Sequence, residues 1–406
     1  MKPFGFEKPL GMRDTLPQVY HKKDRFRQKI ARGIQGWGYQ FVETPALEYY
    51  DTVGTATSIE ERQLFKLLDQ EGKTVVLRPD MTAPIARIAA SSLKDEALPL
   101  RLAYDASVFR AQQREGGRPA EFEQIGIELI GDGSVSADAE VIALMVNVMK
   151  RAGLDHFQVV VGHIGYVNAL LYEVTGDEKS VGELRRYLFE KNYVGFRRFV
   201  EDMDLARDER ERLLALLELR GGHEVIDKAG HLIDNEQGKQ MLSDLAELAK
   251  LLSEYGVSEY FKIDFTLVSH MDYYTGIVFE GVNGNVGFPL ASGGRYDELL
   301  GRFNRPVPAT GFAVFFDRLI EAIGTGEVWP NACCILFIPE QRKEALLLAS
   351  KKRADGESVV LQELAGVSDV DHFIESFDEV IYYTESITGR ESGATRCEKQ
   401  GGGQGQ

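Results

Sequence analysis

The spacing of apolar residues divides the chain into blocks of two kinds. Phe122, Ile125, Ile127, Leu129 and Ile130 alternate with or stand beside Glu121, Glu123 and Gln124, which predicts a strand with part of this polar set on one face. An earlier strand ends at Phe109-Arg110, so Val108–Gly131, VFRAQQREGGRPAEFEQIGIELIG, is a hairpin with a polar, glycine-containing loop. Upstream, Tyr20, Phe26, Ile30 and Ile34 recur at helical spacing and stop near Gly36-Trp37-Gly38. Tyr39 to Pro45 reads as a strand halted by proline. Leu64–Asp69 and Thr74–Pro79 flank a turn at Gln70-Glu71-Gly72-Lys73. Asp80-Met81-Thr82-Ala83-Pro84 then opens a helix from Ile85 to Leu93, with Asp80 or Thr82 as cap and Pro84 in the first turn.

After the hairpin, Val141, Leu144, Met145 and Val148 mark an amphipathic helix, and Phe157 to Ile164 a buried strand. From Gly176 to Val257 the chain turns helical throughout, rich in Leu, Glu, Lys and Arg. The sheet pattern resumes at Phe261. Beyond a linker at Glu327–Pro330, short strands at Ile335–Ile338, Ser358–Leu361 and Glu379–Tyr383 alternate with helical stretches such as Arg342–Lys352. The Gly/Gln/Lys run from Cys397 is low in complexity and expected to be disordered.

Length and charge narrow this further. A chain of 406 residues exceeds one core and implies two or three domains. Acids outnumber bases 63 to 47, for a net charge of −16, so any surface for a polyanion must be local. Cys333, Cys334 and Cys397 are too few and too poorly spaced for a disulfide framework or a zinc site. A reducing cytoplasm is the expected setting. Neither a signal pattern nor a long apolar run stands in the sequence.

The candidate chemistry gathers on the hairpin. Arg110 offers a planar fork for a carboxylate or phosphate, and Glu or Gln on the return strand can accept from an amine or a ring N–H. The plain alternative is a solvated, charged hairpin. Tyr273 and Tyr274 can wall a planar ligand or be ordinary sheet aromatics. His163 stands alone and is read as structural. Arg185, Arg186, Arg197 and Arg198 have acids interspersed, which reads as a solvated helix face rather than a basic patch.

These stretches carry a resemblance. FR, a loop, then GRPAEFEQIGIELIG resembles motif 2 of the class II aminoacyl-tRNA synthetases in its histidyl-tRNA synthetase form. GMRDTLP and YQFVETPALE resemble the opening and motif 1, the segment that builds the dimer interface in that class. LRPDMT is similar to LRPEGT, whose Glu holds the amino group of histidine; Asp80 keeps the charge with a shorter reach, alongside or instead of capping. LVSHMDYYTGIVFE resembles the LVRGLDYYTGTVFE signature of the histidine pocket, and GGRYD at Gly293–Asp297 matches a ligand-side glycine loop.

The departures are as informative. The signature arginine that stabilises charge during adenylation is Ser269, and its glycine is His270; loss of one such donor can cost about 10²–10³ in rate. Gln112 replaces the Glu after FR. Where motif 3 keeps small residues and a Glu-Arg pair, Phe315, Phe316, Asp317 and Arg318 stand, two rings expected to fill the adenine side.

The resemblance, covering roughly Gly5 to Ile323, implies an α+β fold: a class II synthetase-like antiparallel sheet core with helices, in two parts at 1–175 and 259–326. It implies a helical insertion at 176–258, a small α/β domain at 327–391 and a tail at 392–406. It also implies a histidine site of Asp80, Thr82, Arg110, Gln124, Glu128, Tyr273 and Tyr274, with catalytic residues, metal and cofactor none. The combination is similar to the regulatory subunits of ATP phosphoribosyltransferase. That family implies a short catalytic subunit as partner, a dimer within a hetero-oligomer, and feedback by histidine, with no nucleic acid or membrane. An active histidyl-tRNA synthetase, or a paralogue serving translation control, are the alternatives.

Overall fold

The computed structural model describes residues 7–111, 119–269, 273–284, 286–324 and 333–384, and the backbone of 395–398. The chain divides into two compact units, Met1–Thr325 and Gly326–Gln406.

Helix α1 (Pro17–Gln35) starts on a proline, whose fixed φ suits a first turn and whose missing N–H is not needed there. It buries Phe26, Ile30 and Ile34 of the predicted stripe, while Tyr20 at its start is exposed. The strand expected at Tyr39–Pro45 is short: β1 (Gln40–Phe41) lies parallel to β5 (Leu100–Phe109). A separate three-stranded sheet is formed by β2 (Leu47–Tyr49), β3 (Lys66–Leu68) and β4 (Thr74–Leu77), with β4 central. Helix α2 (Thr82–Ala90) follows, ending short of Leu93.

Strand β6 (Glu121–Ile130) pairs antiparallel with β5 along its length, from Leu100 opposite Ile130 to Phe109 opposite Glu121. Then come α3 (Val135–Arg151), β7 (Gln158–His163) and α4 (Ile164–Thr175). Gly176, at φ 61°, ends α4 in the left-handed region that an L side chain resists. Asp177 at once caps α5 (Glu178–Phe189) by accepting from the Ser180 N–H at 2.9 Å. The helical stretch continues through α6 (Tyr193–Asp202), α7 (Arg207–Leu216), the two-residue β8 (Arg220–Gly221), α8 (Glu224–Gly230) and α9 (Glu236–Glu254). Arg186 is held by Glu183 and Glu190, and Arg197 by Glu218 at 3.1 Å, as a salt-bridged helix face requires. The sheet resumes with β9 (Phe261–Asp264), β10 (Ile277–Val282), β11 (Ala291–Arg295) and β12 (Ala309–Phe315), followed by α10 (Phe316–Ile323).

Among the described residues the main sheet has nine strands in the order β1-β5-β6-β12-β11-β10-β7-β9-β8. Its centre is antiparallel, as expected, while the β1–β5 and β7–β9 pairs are parallel. Both faces are covered, so β6 is buried along most of its length, Gln124 and Glu128 included. On one face Ile125, Ile127 and Leu129 pack with α1, α3 and the helices after Gly176 in one core. On the other, Leu102, Tyr104, Val108 and Ile130 pack with α2. Because side chains alternate along a strand, Glu123 belongs to the first face, and Gln124 and Glu128 to the second.

Charge also threads the helix-side face. Lys23, nearly buried, lies 2.5 Å from Asp317 and 3.3 Å from Glu123, while Arg27 reaches Asp105 at 2.7 Å and Glu123 at 3.0 Å. Deeper in, Arg295 at the end of β11 donates to Asp138 of α3 at 3.0 Å and to the carbonyls of Asp132 and Ser134. Burial pushes the Asp138 carboxyl up while the guanidinium pulls it back.

In the second unit, β13 (Cys333–Phe337) lies parallel to both β14 (Val359–Glu363) and β15 (Glu379–Tyr383), with α11 (Arg342–Ala354) and the short α12 (Val370–Ile374) as connections. Cys333 and Cys334 are buried on opposite faces. Within the stretch expected to be disordered, β16 (Thr395–Glu398) runs antiparallel to β15.

Breaking a buried ion pair strands one charge, so Asp138→Ala should destabilise the chain by about 3–5 kcal/mol. Asp138→Leu combined with Arg295→Met should recover most of that loss. Urea denaturation of the three proteins measures both; equal losses in the single and double variants would contradict it.

Candidate functional site

The second face of the sheet, under α2, brings the sequence-predicted residues together. Asp80 precedes α2 and is buried. One of its oxygens accepts from the Ala83 N–H at 3.1 Å and the other from the Thr57 hydroxyl. The capping role is thus realised, and both oxygens are engaged. Thr82, the first residue of α2, hydrogen-bonds the carboxylate of Glu128.

Glu128 comes from β6 and is 2% exposed. It stands opposite Gly311 of β12, where a Cβ would lie 1.9 Å from its Oε2. Only a glycine leaves that carboxylate its place. Its other donor is the hydroxyl of Tyr296, just after β11. Burial pushes the Glu128 carboxyl up to about 8; the Tyr296 and Thr82 hydrogen bonds oppose the shift and Asp80 adds to it.

Aromatic rings close the cluster. Tyr273 is buried against Tyr274, with centroids 4.9 Å apart, and against Tyr296 at 5.8 Å. The Tyr274 ring occupies the space a Cβ on Gly294 would take, at 2.9 Å, which explains the second glycine of the GGRYD loop. Tyr104 of β5 presents its hydroxyl over Gly126 in the same way. Burial pushes all four phenols well above their ordinary range. Arg110, at the end of β5, donates Nε to the Pro79 carbonyl at 2.8 Å and lies 5.3 Å from the centre of the Phe122 ring. Arg110, Phe122 and Gln124 define the outer end of the site, Glu128 and Tyr296 the inner.

Other expectations fall differently. The two rings expected to fill the adenine side separate: Phe315 pairs with Phe122 at 6.4 Å and carries Arg318 at 4.3 Å, but Phe316 is buried in the helix-side core under Arg27. Adjacent residues at a strand end face opposite ways, so one ring, not two, lies on that side. Asp317 is turned to α1 by Lys23 and accepts from the Glu123 N–H at 3.1 Å. Arg318 donates to the Pro289 carbonyl. His163 caps α4 through Nδ1, accepting from the Tyr166 N–H, and burial lowers it to about 4; it is structural. Ser269 is half-buried, while Gln112 and His270 lie outside the described residues. Thr57, Tyr104 and Tyr296 complete the cluster unforeseen. Tyr296 was legible in the GGRYD match; nothing local in the sequence marks Thr57 or Tyr104.

The raised Glu128 carboxyl has a consequence for stability. Its folded value lies above its unfolded one, so its contribution is whole below about pH 4.5 and is lost as pH rises toward 8. Glu128→Gln should therefore be the more stable protein at pH 7, by on the order of 3 kcal/mol. The difference should vanish near pH 4. Denaturation at the two pH values checks this, and an acid-independent difference would contradict it.

Known proteins are similar to this chain in sequence and fold. The profile described as "Histidyl-tRNA synthetase" matches residues 11–319, and that described as "Histidyl-tRNA synthetase HisZ, C-terminal domain" matches 334–385. A protein of Halalkalibacterium halodurans named ATP phosphoribosyltransferase regulatory subunit is 58% identical over 94% of this chain and 96% of its own. A crystal structure of an ATP phosphoribosyltransferase regulatory subunit/histidyl-tRNA synthetase from Bacillus halodurans superposes with a TM-score of 0.90 at 57% identity, covering 94% of this chain and 99% of that one. A histidyl-tRNA synthetase from Nostoc, 19% identical, shares the fold at a TM-score of 0.80 over 93% of this chain and 91% of its own. The chain belongs to the ATP phosphoribosyltransferase regulatory subunit family, built on the histidyl-tRNA synthetase fold.

Proposed function

We propose that this chain assembles with a short catalytic ATP phosphoribosyltransferase subunit in the first step of histidine biosynthesis, and that its pocket binds free histidine as the feedback signal. As a member of its family the chain is a regulatory subunit without catalysis of its own. The observation that carries the histidine reading is the buried cluster itself. A carboxylate, a guanidinium and aromatic walls meet where histidine would present an ammonium, a carboxylate and a ring. Asp80 and Gln124 take the ammonium, Arg110 the carboxylate, and Glu128 the ring, with Tyr273 and Tyr274 beside it. The signature arginine is Ser269, so the ligand carboxylate relies on Arg110 and the affinity is modest. Coupling to catalysis requires histidine to prefer one arrangement of the complex over another. The setting is cytoplasmic, in keeping with the finding that no helix among the described residues is long and apolar enough to cross a membrane. Nucleic acid plays no part.

Self-association is part of the proposal. One face of the small β2-β4-β3 sheet presents Leu47, Tyr49 and Leu67, each about half exposed. Apolar residues in one row on a three-stranded sheet suit a second copy of the chain.

Mixing the purified chain with a short catalytic subunit should restore phosphoribosyl-ATP formation, with histidine inhibiting it. Glu128→Ala should weaken histidine binding about 10- to 100-fold, the loss of a charge-assisted hydrogen bond. Inhibition should weaken in parallel, with assembly intact. Wild-type inhibition of the Glu128→Ala complex would place control elsewhere. Leu47→Asp with Leu67→Asp should convert a dimer to a monomer in sedimentation; an unchanged mass would exclude this face.

A further inference from the structure

Helix α1 sorts its charges by face. Lys23 and Arg27 turn inward and are paired, with Asp317 and Asp105. Lys22, Lys29 and Arg32 recur at i, i+7 and i+10 along one flank, beside the buried Phe26 and Gly33. Two of them share one ring: the ammonium groups of Lys22 and Lys29 lie 5.9 and 5.3 Å from the centre of Phe26. The stripe continues onto α3. A Cβ on Gly33 would stand 2.8 Å from the Arg151 side chain, so this glycine, otherwise a poor helix former, lets that arginine lie against α1. Its neighbour Lys150 sits 5.3 Å from the centre of the Tyr260 ring. Past the end of α1, Trp37 stacks on Tyr255 at the end of α9, with centroids 5.9 Å apart, and Tyr255 is 44% exposed.

These cations stand without acidic neighbours in an acidic protein. Acids outnumber bases 63 to 47 along the chain, yet no carboxylate among the described residues pairs with Lys22, Lys29, Arg32, Lys150 or Arg151. Asp24, the one acid of the helix, stands on another flank and accepts from Gln28 at 2.9 Å. Arg32, Lys150 and Arg151 occupy the last turns of their helices, where the dipole favours a cation. That does not account for Lys22 and Lys29, which meet over one ring without a counter-ion. Like charges so placed repel, and an anion between them removes the repulsion. We propose that this stripe, with the Trp37–Tyr255 stack at its end, is the docking surface for an acidic face of a protein partner. The inference rests on the assembly proposed above, which makes that partner the catalytic subunit. Three features favour a protein over a nucleic acid. Trp, Tyr and Arg concentrate binding energy at protein interfaces. Each of the two stacked rings closes a face of the other, so neither is a free platform for a base. The stripe spans only about 15 Å of helix, and a longer phosphate chain would run on into the field of a protein whose net charge is −16.

Calorimetry of the full chain with the purified short catalytic subunit, at low and high salt, tests this. The wild-type Kd should rise at least about 10-fold with salt. Lys22→Glu with Lys29→Glu sets like charge against the partner's acids, so assembly should weaken at least about 100-fold and no longer weaken further with salt. Lys22→Gln with Lys29→Gln only removes the charges and should weaken assembly about 10-fold; it serves in place of the reversed pair if urea denaturation shows that pair unfolded. The same reversal on the insertion, Lys179→Glu with Lys228→Glu, should change the Kd less than about 3-fold. Equal weakening by the two reversed pairs assigns the effect to net charge and overturns the inference. Tyr255→Ser should cost about 10-fold with the salt dependence kept; an unchanged Kd overturns the role of the stack. A folded Lys22→Glu, Lys29→Glu chain that assembles as tightly as wild type overturns the inference and leaves the assembly standing. Absence of any association by the wild-type chain overturns both. Sedimentation of the chain alone and anisotropy with a labelled DNA duplex complete the test. A self-associated mass, or duplex binding, that the reversed pair abolishes assigns the stripe to a second copy or to nucleic acid, and either result overturns the inference.

Discussion

The carboxylate of Glu128 is held entirely out of water, and much of the site follows from accommodating it. Desolvating a carboxylate is costly unless donors replace the lost solvent, and here two hydroxyls do so from different parts of the chain, Thr82 and Tyr296. The strand beneath must carry no side chain, hence Gly311. The loop that brings Tyr296 must be fixed, hence the buried pair of Arg295 and Asp138. The second carboxylate, Asp80, is kept apart by its own partners, the Ala83 amide and the Thr57 hydroxyl. Remove any one of these and the burial of Glu128 becomes harder to sustain.

The retained and the replaced parts of the synthetase pattern sort by position on the sheet. The inner end, where Glu128, Tyr273 and Tyr296 meet, keeps the motif residues, and the outer end keeps Arg110 and Gln124. Toward the outer end the substitutions gather: Phe315 stacks with Phe122 under Arg318, and Asp317 is drawn through to α1 by Lys23. On the function proposed above, the recognising residues and the substituted ones share strands β6 and β12.

Much of the fold was legible because its strands and helices carry strong periods. The hairpin, the amphipathic α3 and the helical run after Gly176 are each written in the spacing of apolar residues. The short β1 and the parallel pairing of β7 with β9 were not, because two- to four-residue pairings depend on what lies beside them. The site was legible through motifs that place polar residues on named strands. Motif reasoning misplaced Phe316, since sequence adjacency conceals that a strand end turns neighbouring rings to opposite faces. Thr57 and Tyr104 were invisible for a related reason: their partners, Asp80 and the backbone at Gly126, are brought to them only by the tertiary fold. The small second sheet gained a strand, Thr395–Glu398, from a stretch whose composition suggests disorder, because an open edge on β15 offers backbone partners irrespective of side chains.

Strand β6 serves both faces of the sheet, and the alternation along it is rigid. Glu123 is tied to Lys23 and Arg27 of α1, while Gln124, the next residue, points to the opposite face of the sheet. A single peptide unit therefore joins the contacts of α1 to the sheet face that carries Glu128.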